Sequence, residues 1–268
     1  ILSIATGITI CKGKINLETK SSDLIPELLG KDLGSAKLRH LLTMTSGTWE
    51  GNQDSSIYDQ HQRLLLSTGS ISHLQILTSN KVSTAEWNGF LNPKRQPGEV
   101  FAYRSTDPLV VALMLEKVNE KSYGEFIETE ILLPAGIESP AISGKDFFGY
   151  PRADSVLRMK LNDWVRLTIW INEKIHSESC LGNYLKEATK DQVKNRNESR
   201  FPKTFKSYGY FFGLDNEIVN ESFWAVGIGG QRIGWSKKSN KMIISFSNSD
   251  QNINQLEKIF SDWIDTNE

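Results

Sequence analysis

Apolar and small residues dominate from Ile1 to Cys11 until Lys12-Gly13-Lys14 stops them, a pattern that predicts a buried helix closed by a glycine. A run of this length suits a core helix and falls well short of a bilayer span. Short helices are predicted over Ser22–Leu29, Leu38–Thr45 and Ile71–Leu77, separated by Gly, Ser and Asn. The clearest helical period lies in Asp107–Asn119, where Leu109, Ala112 and Leu113 recur on one face while Glu116 and Lys117 point outward. Tyr123–Leu132 continues as helix until Pro134 and Gly136 end it. Asp163–Asn172, with Trp164, Leu167, Ile169 and Trp170, reads as another buried helix, and Gly182–Asn197 as an amphipathic one.

After Pro202 the period changes. Tyr208–Leu214, Phe223–Val226, Gln231–Trp235 and Lys241–Ser247 are short aromatic or β-branched runs split by turn residues, which predicts an antiparallel sheet. Ile253–Ile264, with Leu256, Ile259, Phe260 and Trp263 on one face, is expected to close the chain as an amphipathic helix. The outline is therefore α+β: a mostly helical region over residues 1–200, then antiparallel strands and a terminal helix over 201–268. No internal repeat or low-complexity linker interrupts it.

Composition narrows the function classes. The 268 residues can bury a substantial core, and 31 Lys+Arg against 32 Asp+Glu leave no basic surplus for phosphate contacts, so no nucleic-acid partner is expected. No stretch is long and apolar enough for an integral membrane segment. The histidines His40, His61, His73 and His176 never reach the H-x-x-x-H spacing of a helical zinc site, and neither a metal nor a cofactor is expected. Cys11 and Cys180 lie far apart, outside any C-x-x-C arrangement, and are expected to be free buried thiols. Compartment and oligomeric state stay open: the chain starts without Met, in what reads as the middle of an element.

Five runs occur in order. They are Leu41-Leu42-Thr43-Met44-Thr45-Ser46-Gly47; Pro97-Gly98-Glu99-Val100-Phe101-Ala102-Tyr103-Arg104-Ser105; Leu133-Pro134-Ala135-Gly136-Ile137; Leu157-Arg158-Met159 ahead of Asp163; and Gly227-Ile228-Gly229-Gly230-Gln231. Together they resemble the penicillin-recognising, β-lactamase-like serine hydrolases, in the branch of class C β-lactamases, esterases and 6-aminohexanoate-oligomer hydrolases. The resemblance spans nearly the whole chain and implies a β-lactamase/transpeptidase-like fold, an antiparallel sheet flanked by helices beside a helical region. It also implies a serine hydrolase that cleaves an ester or amide bond of a small molecule through an acyl-enzyme intermediate.

In that family a Ser-x-x-Lys motif opens the buried helix of the helical region. No Ser-x-x-Lys occurs in the 268 residues. The helix at Ile1–Cys11 resembles the continuation of the one carrying it, which implies that nucleophile and lysine lie roughly two or three helical turns upstream. Thr9-x-x-Lys12 and Cys11-x-x-Lys14 share only the spacing and fall at a helix end. Tyr103 and Ser105 resemble the Tyr-x-Asn/Ser element, which implies a proton-shuttling phenol at Tyr103 and a substrate contact at Ser105, with helix N-capping as the other reading of Ser105. Gly227–Gln231 resembles an edge strand that lends backbone N–H groups to an oxyanion hole; this implies a catalytic part for Gln231 and substrate contacts at Ile228, Gly229 and Gly230. A dinucleotide-binding loop, the other reading of Gly-x-Gly-Gly, would lead into a helix, and strand-like residues follow instead.

Two departures shape the expected specificity. Ile228 stands where the family often has Lys or His, which removes a cation for a substrate carboxylate and favours an esterase or amidase over a β-lactamase or carboxypeptidase. Trp49 and Glu50 follow the Ser46-Gly47 turn and could line an acyl pocket or simply be exposed turn residues. The competing function is a catalytically silent sensor or binding module that keeps the pocket without turnover. The hydrolase reading requires the phenol of residue 103 and the amides of 229–231 to share one crevice.

Overall fold

The structure, a computed structural model, describes residues 1–30, 32–47, 96–145, 149–155, 157–196 and 201–266. Trp49, Glu50, His61, His73 and the helix predicted at Ile71–Leu77 lie outside the described residues. The chain divides into two compact units, Ile1–Lys160 and Leu161–Glu268, so the helices from residue 161 to 188 group with the sheet.

In the first unit, α1 (Leu2–Cys11) carries buried hydroxyls that satisfy themselves: Thr6 Oγ1 donates to Leu2 O at 2.9 Å and Thr9 Oγ1 to Ala5 O at 2.8 Å. Gly13, at φ 69°, ends the helix as predicted, with Gly13 N donating to Ile10 O at 2.8 Å and Lys14 N to Thr9 O at 3.2 Å. α2 (Ser21–Leu24), α3 (Asp32–Ser35) and α4 (Leu38–Leu42) are single turns or little more. Of these, α2 and α4 pack on α5 (Thr106–Asn119), in which every residue from Leu109 to Leu115 is buried. A helix apolar all round needs neighbours all round, and α5 packs on α1, α2, α4 and α6 (Tyr123–Ile127). Asn119 Nδ2 donates to Thr9 Oγ1 at 3.0 Å, a buried polar tie from α5 to α1.

The helix predicted over Tyr123–Leu132 changes character midway: α6 passes into a π-helical turn, Glu128–Leu132. Leu133–Ile137 then forms a second glycine cap, with Gly136 at φ 72° and Ile137 N donating to Leu132 O at 3.0 Å. Two-residue strands that the sequence pattern did not suggest, β1 (Ile142–Ser143) and β2 (Leu157–Arg158), pair antiparallel.

The second unit is a six-stranded antiparallel meander in chain order: β3 (Val193–Lys194), β4 (Phe205–Tyr208), β5 (Gly213–Asn216), β6 (Ser222–Val226), β7 (Arg232–Ser236) and β8 (Met242–Ser245). Helices α7 (Leu161–His176), α8 (Cys180–Ala188) and α9 (Ile253–Ile264) accompany it. Register assigns the aromatic side chains to two faces. Phe223 opposes Trp235, and their rings stack at 5.0 Å on the face where Trp235 Nε1 donates to Thr168 O of α7 at 3.2 Å. Trp224 opposes Gly234 and meets Phe260 of α9 edge-on at 5.5 Å on the other face. Gly234 is a packing glycine: a Cβ there would lie 2.7 Å from the Trp224 ring.

Three expectations are corrected. The run Tyr208–Leu214 is two strands, because Gly209 N turns back to Phe212 O at 2.9 Å and Phe211 adopts φ 63°. The helix predicted over Gly182–Asn197 stops at Ala188, because the chain is captured by the sheet: Gln192 N donates to Tyr208 O at 3.1 Å and β3 follows. Neither cysteine is a free thiol; both are disulfide-bonded, with Cys11 half-buried and Cys180 exposed. Sequence separation does not reveal pairing, which depends on Cα distance and Cβ direction.

The Leu41–Gly47 run closes α4 and braces the segment that leads into α5. Met44 takes the left-handed conformation at φ 55°, which turns its carbonyl to accept from Ala102 N at 2.9 Å, while Thr45 O accepts from Gly98 N at 2.7 Å. Below these bonds Ser46 Oγ donates to Asp107 Oδ1 at 2.6 Å, Arg104 Nη1 donates to Ser46 Oγ at 3.2 Å and Arg104 Nε to Ala102 O at 2.8 Å. All three side chains are buried. Burial pushes the Asp107 carboxyl up to about 6, against the opposing pull of the Arg104 charge and the Ser46 hydrogen bonds.

Two predictions follow from this packing. Gly234→Ala is expected to lower unfolding free energy by about 1–3 kcal/mol in urea titration, since the Trp224 ring must move to admit a methyl group. Between about pH 4 and 6 the folded chain keeps the Asp107 proton that the unfolded chain has released. This contribution is therefore fully present below pH 3.8 and lost as pH rises through 6, by about 3 kcal/mol in all. Asp107→Asn is expected to remove that component from the stability-against-pH curve.

Candidate active site

Tyr103 and Ser105 flank Arg104 on the segment that leads into α5, and both are half-buried while Arg104 is buried. The hydrogen bonds that hold Arg104 to Ala102 O and Ser46 Oγ also hold the segment that carries residues 103 and 105. Ser105 occupies the N-cap position of α5, yet its hydroxyl makes no capping bond, so side-chain capping does not account for it. Behind the segment, Gly98 at φ 96° lies against the His40 ring, where a Cβ would sit 3.2 Å from Nε2. Burial lowers the His40 pKa, reinforced by Lys37 and Arg39, which favours a neutral ring at that contact.

In the second unit, Gly227–Gln231 joins β6 to β7. The expectation of an edge strand is corrected: Ile228–Gly230 is a 3₁₀ turn, and β7 is interior, paired with β6 on one side and β8 on the other. The glycines explain the change. Gly229 and Gly230 take φ 72° and 80°, which β-branched or bulky residues avoid, and this consecutive left-handed pair breaks the ladder. Gly227 N donates to Gln231 O at 2.9 Å and closes the connection. Gly230 packs on the following loop, where a Cβ would meet Ser249 O at 2.4 Å. Gln231 sends its side-chain amide to Ser247 O, which leaves its backbone as the part able to serve an oxyanion. Ile228 is 96% exposed, an apolar side chain held out from the turn.

Each unit thus brings its own candidates together: Tyr103 with Ser105 in the first, and Ile228, Gly229, Gly230 and Gln231 in the second. Trp49 lies outside the described residues. Sequence reasoning missed Ser46, Arg104 and Asp107 as a cluster, and Arg232, which is 3% exposed and donates to Gly227 O at 2.8 Å and Gln231 O at 2.9 Å. The available signal was an arginine next to the candidate residues, Arg104 between Tyr103 and Ser105 and Arg232 directly after Gln231. Asp163 of the Leu157–Asp163 run is buried in the first turn of α7 and paired with Arg166 at 2.8 Å, an i,i+3 pair that serves the helix start. Among the described residues no group of three or more His, Cys, Asp or Glu is placed to hold a metal ion, and no helix is long and apolar enough to cross a membrane.

The chain is similar in structure to a protein assigned as a 6-aminohexanoate-dimer hydrolase from Bacillus anthracis, with 17% identity over 98% of this chain and 70% of that one and a TM-score of 0.72. It is similar to an octameric penicillin-binding protein homologue from Pyrococcus abyssi, with 17% identity over 98% of this chain and 63% of that one and a TM-score of 0.66. A class C beta-lactamase from Rhodobacter sphaeroides shares 11% identity over 97% of this chain and 81% of that one, with a TM-score of 0.64. At such identities these likenesses speak to the fold, a beta-lactamase/transpeptidase-like α+β arrangement. No curated protein matches the sequence. The beta-lactamase family profile matches residues 3–260, and the chain belongs to that family.

Proposed function

We propose that this protein is a serine hydrolase that cleaves an ester or amide bond of a small, uncharged acyl substrate through an acyl-enzyme. The observation that carries the reading is the placement of Tyr103 and Ser105 on a segment held by a buried polar brace, within a chain of the beta-lactamase family. A half-buried phenol whose backbone is fixed on both sides is preorganised for proton transfer.

In this reading the nucleophilic serine and its lysine are supplied from upstream of residue 1. Serine attacks the carbonyl carbon, and Tyr103, favoured as phenolate by the lysine charge, takes the hydroxyl proton. Backbone N–H groups of Gly229, Gly230 and Gln231 receive the negative charge that develops on the carbonyl oxygen. Collapse breaks the ester or amide bond and Tyr103 returns the proton to the leaving group. Water then repeats the sequence, with Tyr103 as base, and releases the acid. Ser105 contacts the substrate. Ile228, exposed where a cation would grip a carboxylate, supports an uncharged acyl group, and the name of the B. anthracis protein supports an amide as one leaving class.

Incubation of the complete protein with a fluorophosphonate probe is expected to give a covalent mass adduct on a serine; a folded protein without adduct would favour a binding module. Tyr103→Phe is expected to keep the fold by circular dichroism and to lower p-nitrophenyl ester turnover by roughly 10²–10⁴-fold. Unchanged hydrolysis in that variant would overturn the role of Tyr103.

A further inference from the structure

The Gly227–Gln231 connection contains two left-handed glycines in succession, a conformation that glycine tolerates but does not enforce. Something must hold it. Gly227 N to Gln231 O is one closure. The other comes from the residue after the turn: Arg232, 3% exposed, donates through Nη1 to Gly227 O at 2.8 Å and to Gln231 O at 2.9 Å. One cationic nitrogen thereby joins the first and last carbonyls of the turn, and its direction is set from below because β7 is paired on both sides. On α9, Glu257 is fully buried; burial raises its carboxyl above the usual carboxylate range, against the opposing pull of Asn216 and of the Arg232 charge.

We infer that Arg232 is a positioning residue for the reaction, a buried clamp that sets the backbone amides of Gly229, Gly230 and Gln231. The inference rests on the reading of those amides as the oxyanion site. Arg232 touches no reacting atom; it acts through the two carbonyls that bracket the turn. An oxyanion hole gains its effect from donors fixed before charge develops, so a loosened turn weakens transition-state binding more than substrate binding. Lysine keeps the charge and can donate to a carbonyl, but its shorter reach and freely rotating ammonium do not reproduce the fixed direction of the planar guanidinium.

The test uses the complete protein and p-nitrophenyl ester hydrolysis, together with hydrogen exchange at the amides of residues 227–231. Arg232→Met is expected to lower kcat by about 10–100-fold, less than outright loss of a donor, with KM within about threefold and with faster exchange confined to the turn. Arg232→Lys is expected to recover part of both. Should Arg232→Met fail to fold because the buried Glu257 loses the opposing Arg232 charge, the double variant Arg232→Met with Glu257→Gln is compared with Glu257→Gln alone, and the same kcat loss is expected. Wild-type kcat in a variant with a loosened turn, or unchanged exchange in the turn, would overturn the clamp. If wild-type protein neither reacts with fluorophosphonate nor turns over ester, the hydrolase reading fails instead, and the exchange measurement alone decides whether Arg232 holds the turn.

Discussion

A guanidinium taken out of water must find acceptors, and in both units of this protein it finds them in the backbone beside the residues of chemical interest. Arg104 is buried against Ala102 O and Ser46 Oγ, and Arg232 against Gly227 O and Gln231 O. The desolvation penalty of such a cation is several kcal/mol if its bonds are lost, so the carbonyls it binds are held as firmly as the cation is. Stretches that are otherwise irregular, one leading into α5 and one joining β6 to β7, acquire definite geometry in this way. Neither stretch has a regular hydrogen-bond ladder to hold it, and polar burial takes that place.

The apolar packing around them has a complementary task. α5 is buried throughout its middle and accepts neighbours on all sides, so its N-terminus, where Ser105 stands, is immobilised by the whole helix cluster. In the sheet, Trp224 and Trp235 project to opposite faces of adjacent strands and engage Phe260 of α9 and Thr168 of α7. The hairpin carrying the glycine turn is thus anchored from both faces, and Gly234 exists to admit the indole of Trp224. Such interlocking leaves little room for the turn to drift.

Membership of the beta-lactamase family, established over residues 3–260, places these features in a setting of serine hydrolysis. Within it the chain has its own character. Residue 228 is an exposed isoleucine, and the two candidate segments each have a buried arginine, Arg104 and Arg232, that donates to backbone carbonyls. The arginines point to geometry maintained from within the scaffold.

How much of this was legible in advance depends on the range over which each feature is decided. Helical period, glycine caps at Gly13 and Gly136, the strand-rich region and the terminal helix are local matters of propensity and patterning, and they stood in the sequence. The five ordered runs carried the family and the candidates Tyr103, Ser105 and Gly229–Gln231. The helix over Gly182–Asn197 and the strand over Tyr208–Leu214 were misread because a sheet can capture a chain against its local preference, and the edge strand at Gly227–Gln231 because backbone dihedrals outrank the appearance of a run. The bonded state of Cys11 and Cys180, the Ser46–Arg104–Asp107 brace and the double bond from Arg232 were decided by tertiary structure alone. Each depends on distances between groups brought together by folding, and spacing along a chain does not encode distance across a core.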